Sequence, residues 1–263
     1  RVLFLSGSSS GTGRTNFTNG TFDFAGSDGT YAATDAKPAS DYRYVPVVGG
    51  PIAIVFNVAG VKDLNLDAAT LGGIFDGSIS TWNDAKIAAL NPKAKLPASA
   101  ITVVYRSTNS GTTQNVQNYL QENIGGSWPA ANQAWVGVKT GASVSLSTDM
   151  AYKVSHTDGA IGYVDLSDID TKVSKVALKN AKGKFVKPSV AAASKFLSKQ
   201  TVGTDGTIDI DFTKKVTGAY QLSIVTYMMI PDATTPKGQA AKAFGIYAVT
   251  KCSKKPAKGY AGF

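Results

Sequence analysis

The sequence holds one cysteine and one histidine in 263 residues, and each scarcity excludes chemistry. With Cys252 alone, no disulfide forms within the chain. With His156 alone, no histidine-rich metal site exists, and a zinc site would have to recruit carboxylates. A Ser-His-Asp triad could use only His156. The run Ala151-Tyr-Lys-Val-Ser-His-Thr-Asp-Gly159 reads as a helix end, where a histidine caps or faces solvent. Charged residues make up only 17%, and acidic ones are the scarcer sign. Eighteen Asp and Glu stand against 27 Lys and Arg, for a net charge of +9. Long apolar runs are also missing. Pro46–Asn57 and Ile224–Ile230 fall short of the roughly 20 residues that span a bilayer, and the mean hydropathy is −0.04. Arg1-Val-Leu-Phe-Leu5 is too short for the apolar core of a signal peptide, so an exported form is expected to be a processed chain.

What is present is an alternation of strands and helices in a chain long enough for one large domain or two lobes. Strands are expected at Val2–Leu5, Phe22–Ala25, Tyr42–Val48, Pro51–Asn57, Ala100–Tyr105, Ala160–Val164 and Gln221–Ile230. Gly49-Gly50 is expected to divide the third from the fourth. Helical periodicity marks a short segment ending near Asn19, then 67–75, 83–90, 110–124, 147–154, 189–197 and 237–250. The pattern argues for an α/β fold with mixed, mostly parallel sheets flanked by helices. Trp82 reads as a core aromatic. The lysines, among them Lys172, Lys175, Lys179, Lys251 and Lys254, are scattered with few interleaved aromatics, so no nucleic-acid partner is expected.

Ligands of such sheets sit where strands end and helices begin, and a Gly/Ser-rich helix start offers free N–H groups and partial positive charge. Two junctions qualify: Val2–Leu5 followed by Ser6–Gly13, and Ile101–Tyr105 followed by Arg106-Ser-Thr-Asn-Ser-Gly-Thr-Thr113. In the second, Arg106 can present a bidentate fork to an oxyanion, while Ser110, Thr112 and Thr113 supply hydroxyls and Gly111 admits a close approach. Asp28 adds a carboxylate after a strand. Each has a plainer reading: a Ser/Gly loop is often only a cap and turn, and a lone Asp only a turn residue. A Walker A loop is excluded, because Ser8 and Arg14 occupy its glycine and lysine positions. The sequons at Asn16 and Asn19 carry meaning only in a secreted eukaryotic protein.

Six segments in order are Thr21–Asp28, Pro46–Asn57, Leu71–Asp84, Ala88–Pro92, Ile101–Thr113 and Gly159–Val164. With them, the chain resembles the phosphate-specific solute-binding protein of the phosphate ABC transporter, a two-lobed periplasmic-type binding protein. The resemblance runs almost end to end. It implies a non-enzymatic protein that holds inorganic phosphate between two lobes without metal or cofactor and delivers it to a membrane permease. The expected location is the periplasm or the cell surface. The implied phosphate-binding residues are Ser10, Asp28, Arg106, Ser110, Gly111 and Thr112. Asp28 would select phosphate over sulfate, because an ionised carboxylate only accepts hydrogen bonds and so needs a proton on the ligand. Lobe I would comprise 1–57 with 218–263 and lobe II 58–217, with crossovers near Asn57 and Tyr220 as the hinge. Two departures stand out. The family begins with a further strand and Gly/Ser/Thr-rich loop ahead of Val2–Leu5, so an additional N-terminal segment or chain would complete lobe I. Thr108 stands where an acidic partner of the arginine is usual, which is expected to leave the site more positive. Two other readings stay open: an extracellular structural or assembly protein that keeps this fold, and a phosphatase.

Overall fold

Polar residues at segment starts set the helices. The computed structural model describes residues 7–129, 132–232 and 234–262. The expected strand at Val2–Leu5 lies outside them. Ser9, Asp67, Ser110, Ser189 and Thr235 each accept a hydrogen bond from a backbone N–H two or three residues into the next helix. The helices are α1 (Ser10–Thr18), α2 (Ala68–Asp76), α3 (Ala85–Leu90), α4 (Gly111–Ile124), α5 (Thr148–Ser155), α6 (Val190–Leu197) and α7 (Pro236–Tyr247). A left-handed glycine, Gly77, ends α2. The α7 segment does not run regularly to Thr250 as expected, because Ala248–Cys252 unwinds into a wider π turn.

The strands are β1 (Ala25–Ser27), β2 (Tyr42–Asn57), β3 (Leu64–Leu66), β4 (Thr102–Arg106), β5 (Ala142–Val144), β6 (Ala160–Asp165), β7 (Ser174–Lys179), β8 (Phe185–Val186), β9 (Thr201–Val202), β10 (Ile208–Asp209), β11 (Ser223–Pro231) and β12 (Ala261–Gly262). The main sheet runs β1-β11-β2-β6-β4-β5. β12 and β7 also pair with β2, and β3 and β8 extend it from β7. The α/β class with a mixed sheet and flanking helices is as expected. The parallel share is smaller than expected: among the described residues it is confined to β3–β7, β4–β5 and β4–β6. The long pairings of β2 with β11 and β6 are antiparallel because β2 runs on as one strand and takes each neighbour in the opposite sense.

Gly49-Gly50 therefore does not break a strand. Both glycines stay paired with β11. A Cβ on Gly50 would lie 2.6 Å from the Gly259 carbonyl oxygen and 2.9 Å from the Tyr260 ring, so the glycine admits the C-terminal segment, whose β12 pairs with Gly49. The two halves of β2 have different neighbours. Residues 42–51 pair with β11, and residues 52–57 pair with β6. Ile52 to Phe56 are wholly buried and form the middle of the core. Trp82 is wholly buried as expected. It packs on Phe56 and donates from Nε1 to the Gly159 carbonyl at 3.1 Å.

Candidate functional site

The first turns of α1 and α4 meet. A Cβ built on Gly111, the first residue of α4, would lie 2.6 Å from Ser10 Oγ and 2.9 Å from both the carbonyl carbon and Cβ of Asp28. Only glycine allows this approach. Gly11 N–H donates to the Asn109 carbonyl at 3.2 Å, and Asn115 Nδ2 donates to the Asp28 carbonyl at 2.7 Å. Ser10 Oγ accepts from the Asp28 N–H at 3.2 Å, and Ser110 Oγ accepts from the Thr113 N–H at 3.3 Å. Two helix N-termini in contact place two partial positive charges together, an arrangement that favours negative charge at the junction.

Arg106 ends β4 and is only 4% exposed. Its backbone N–H donates to Tyr163 Oη at 3.1 Å, and the same oxygen pairs with Thr113 Oγ1 at 2.7 Å. Tyr163 is itself stacked on Trp135 and edged by Phe75, so an aromatic cluster fixes both the strand end and the helix start. The guanidinium makes four hydrogen bonds. Nε and Nη2 donate to the Ser145 carbonyl at 3.1 and 2.8 Å, Nη1 to Ser147 Oγ at 2.8 Å, and Nη2 to Thr108 Oγ1 at 3.2 Å. Of the five donors a guanidinium owns, one on Nη1 is left. The bidentate fork expected of Arg106 is thus directed at the Ser145–Ser147 segment here. Thr108 takes part in that anchoring rather than leaving the arginine unpartnered, since its hydroxyl also donates to the Ser145 carbonyl at 2.9 Å.

Three carboxylates, Asp28, Asp165 and Asp168, lie within electrostatic range of Arg106. Burial lowers the Arg106 pKa, and the nearby carboxylates and Tyr163 oppose that. The Asp28 carboxyl is raised by burial first and by Asp168. A hydrogen bond from Thr226 Oγ1 to Oδ1 at 2.7 Å, Arg106 and Arg14 act against the rise. Asp165 is raised well above the ordinary carboxylate range, by burial first and then by Asp28 and Asp168. It accepts from Thr112 Oγ1 at 3.2 Å.

The structure therefore brings Ser10, Asp28, Gly111 and the α4 cap Ser110 to one junction. Arg106 stands beside it at the end of β4, and Thr112 is tied to Asp165 at the end of β6. Sequence reasoning missed Asp165, Asp168, Thr226 and Tyr260. Asp165 carried the same signal as Asp28, a carboxylate at the C-terminal end of a strand. Arg14 is also buried: it pairs with Asp35 at 3.6 Å and donates to Gln114 Oε1 at 3.1 Å and to the Thr30 carbonyl. A separate cavity of about 170 Å³ is lined by Arg14, Tyr31, Asp35, Asn109 and Gln133, and by none of the six expected ligand residues. His156 is an exposed cap of α5, stacked on Tyr152, and Cys252 is an exposed free thiol.

Residues 3–251 match the PBP superfamily domain. Phosphate-binding protein PstS 3 of Mycobacterium leprae is 36% identical over 263 aligned residues, covering 93% of this chain and 70% of that protein. The chain belongs to the PstS phosphate-binding proteins within the PBP superfamily, a family of binding proteins for transport and not of enzymes. Among solved structures, the high-affinity periplasmic phosphate-binding protein PfluDING, bound with phosphate, superposes with a TM-score of 0.74 at 21% identity. It covers 97% of this chain and 82% of that one. An ABC-type phosphate transport receptor from Vibrio cholerae gives 0.56 at 18% identity, over 94% and 81%. At these identities the two structures speak for the fold.

Proposed function

We propose that this protein binds inorganic phosphate at the junction of α1 and α4 and passes it to the permease of an ABC transporter, from the periplasm or the cell surface. The observation that carries the reading is the abutment of two helix N-termini around Ser10, Asp28 and Gly111, with Arg106 buried alongside. Ser10, Ser110, Gly111 and Thr112 would donate to phosphate oxygens, Arg106 would supply charge and its remaining N–H, and Asp28 would accept the proton the ligand keeps at neutral pH. No helix among the described residues is long and apolar enough to cross a membrane, which fits a receptor that meets its permease by docking.

Lobe I (1–57 with 218–263) and lobe II (58–217) would then share β2, whose residues 42–51 pair within lobe I and whose residues 52–57 pair with β6 of lobe II. The change of partner after Pro51 supports a crossing on β2 a few residues before Asn57. Lobe closure over the anion would bury it and shape the surface a permease reads.

Calorimetric titration of the chain with phosphate, beside Arg106→Ala, tests the reading. Each hydrogen bond to a charged group contributes about 1.5–3 kcal/mol, so the variant is expected to bind about ten- to 150-fold more weakly. A parent chain that shows no saturable phosphate binding refutes it.

A further inference from the structure

Asp165 ends β6 and is 3% exposed. Its Oδ2 accepts from Thr112 Oγ1, while Oδ1 is buried with no hydrogen-bond partner among the described residues. The charged and titratable groups that face it are Asp28 after β1, Asp168 after β6, Arg106 at the end of β4 and Tyr260 ahead of β12. Arg106 makes no ion pair within 4.0 Å among the described residues, and its donors are largely committed to Ser145, Ser147 and Thr108. An ionised Asp165 would stand buried, half unpaired, beside two further carboxylates and beside an incoming anion.

A threonine hydroxyl has one hydrogen to give. If Asp165 is ionised it takes that hydrogen, and Thr112 can offer a ligand only lone pairs, which repel an oxyanion. If Asp165 is a neutral acid, its own O–H can donate to Thr112 Oγ1 across the same 3.2 Å, and the threonine hydrogen is released toward the ligand. No heavy atom has to move.

We propose that Asp165 acts as a neutral carboxylic acid that turns the Thr112 hydroxyl toward the bound oxyanion, which makes it a positioning residue for phosphate. The proposal rests on the phosphate-binding reading above. The burial and neighbouring carboxylates that raise the Asp165 carboxyl act in the same direction. Phosphate affinity then carries a proton dependence that neither Asp28 nor the ligand's own ionisation supplies.

Two measurements test it. In the ligand-free parent, carbon-13 NMR of labelled aspartate carboxyls is expected to show Asp165 in the acid form at neutral pH. Titration in the ordinary carboxylate range overturns the proposal, and this arm needs no variant. Calorimetric titrations with inorganic phosphate are then run from mildly acidic to mildly alkaline pH on the parent and on Asp165→Asn, with circular dichroism to confirm folding. Beyond phosphate's own ionisation, the parent's affinity is expected to fall by up to about tenfold per pH unit once Asp165 ionises. Asp165→Asn, whose amide keeps a donor on Thr112 at every pH, lacks that fall. Parallel pH profiles overturn the proposal, as does an Asp165→Asn variant that folds but binds no phosphate at any pH. A parent that binds no phosphate while Asp165 still reads as a neutral acid refutes the phosphate reading instead, so the two failures are told apart.

Discussion

The contact at Gly111 makes a sharp prediction because two effects of one methyl group oppose each other. Gly111→Ala adds a Cβ at the first position of α4, where replacing glycine gains at most the roughly 0.5–1 kcal/mol it gains in a helix interior. The same Cβ would sit 2.6 Å from Ser10 Oγ and 2.9 Å from the Asp28 backbone carbon. The serine end can rotate aside, but the Asp28 backbone cannot. It is held by Asn115 through its carbonyl, and rotating Ser10 also gives up the bond to the Asp28 N–H, so the α1–α4 junction has to open. Overpacking of this kind costs about 1–3 kcal/mol. The cost falls on the junction where phosphate would sit, so affinity is expected to drop roughly five- to 150-fold. Phosphate calorimetry and thermal unfolding of the same preparations read both effects. A variant that binds as tightly as the parent and melts higher would refute the reasoning, because it would show the methyl accommodated and only the helix gain left.

Two further outcomes follow from the carboxylates. Asp28→Asn supplies an N–H as well as an acceptor beside Thr226, so it no longer requires a proton on the ligand. The ratio of phosphate to sulfate affinity, measured by displacement calorimetry, is expected to fall by roughly tenfold or more, about 1.4 kcal/mol; continued exclusion of sulfate would contradict the role given to Asp28. Asp28, Asp165, Asp168 and Glu122 all have raised folded-state pKa values, chiefly through burial. The folded state then holds more protons than the unfolded one above about pH 4, so ligand-free stability should fall as pH rises from there through the raised values. Asp63, Asp205 and Asp211 are lowered, and their contribution is lost only as pH falls through lower values, outside that window. Differential scanning calorimetry without phosphate checks this; a melting temperature that climbs between pH 4 and 7 counts against it.

The features legible in the sequence were those written locally. Ser110-Gly-Thr-Thr113 is a cap, a close-approach glycine and a helix start within four residues, and the structure sets them at the junction. Arg106 at a strand end was legible for the same reason. What Arg106 does with its donors was not, because Ser145 and Ser147 reach it from a distant segment through tertiary packing. Gly49-Gly50 misled in the opposite way. Paired glycines read locally as a break, but here Gly50 makes room for Gly259 and Tyr260 from the far end of the chain, and Gly49 pairs with β12. Asp165 shows how a signal passes unused: Ala160–Val164 was legible as a strand, and the carboxylate one residue beyond gains meaning only when Thr112 and Asp28 are brought beside it.

β2 has a consequence for how the molecule comes apart. One strand of sixteen residues supplies backbone pairing to β11 and β12 along its first part and to β6 and β7 along its second. Neither half of the sheet can lose β2 without stripping a row of hydrogen bonds from the other. The two halves are thus locked into one unfolding unit, and a lesion in either half lowers the survival of both.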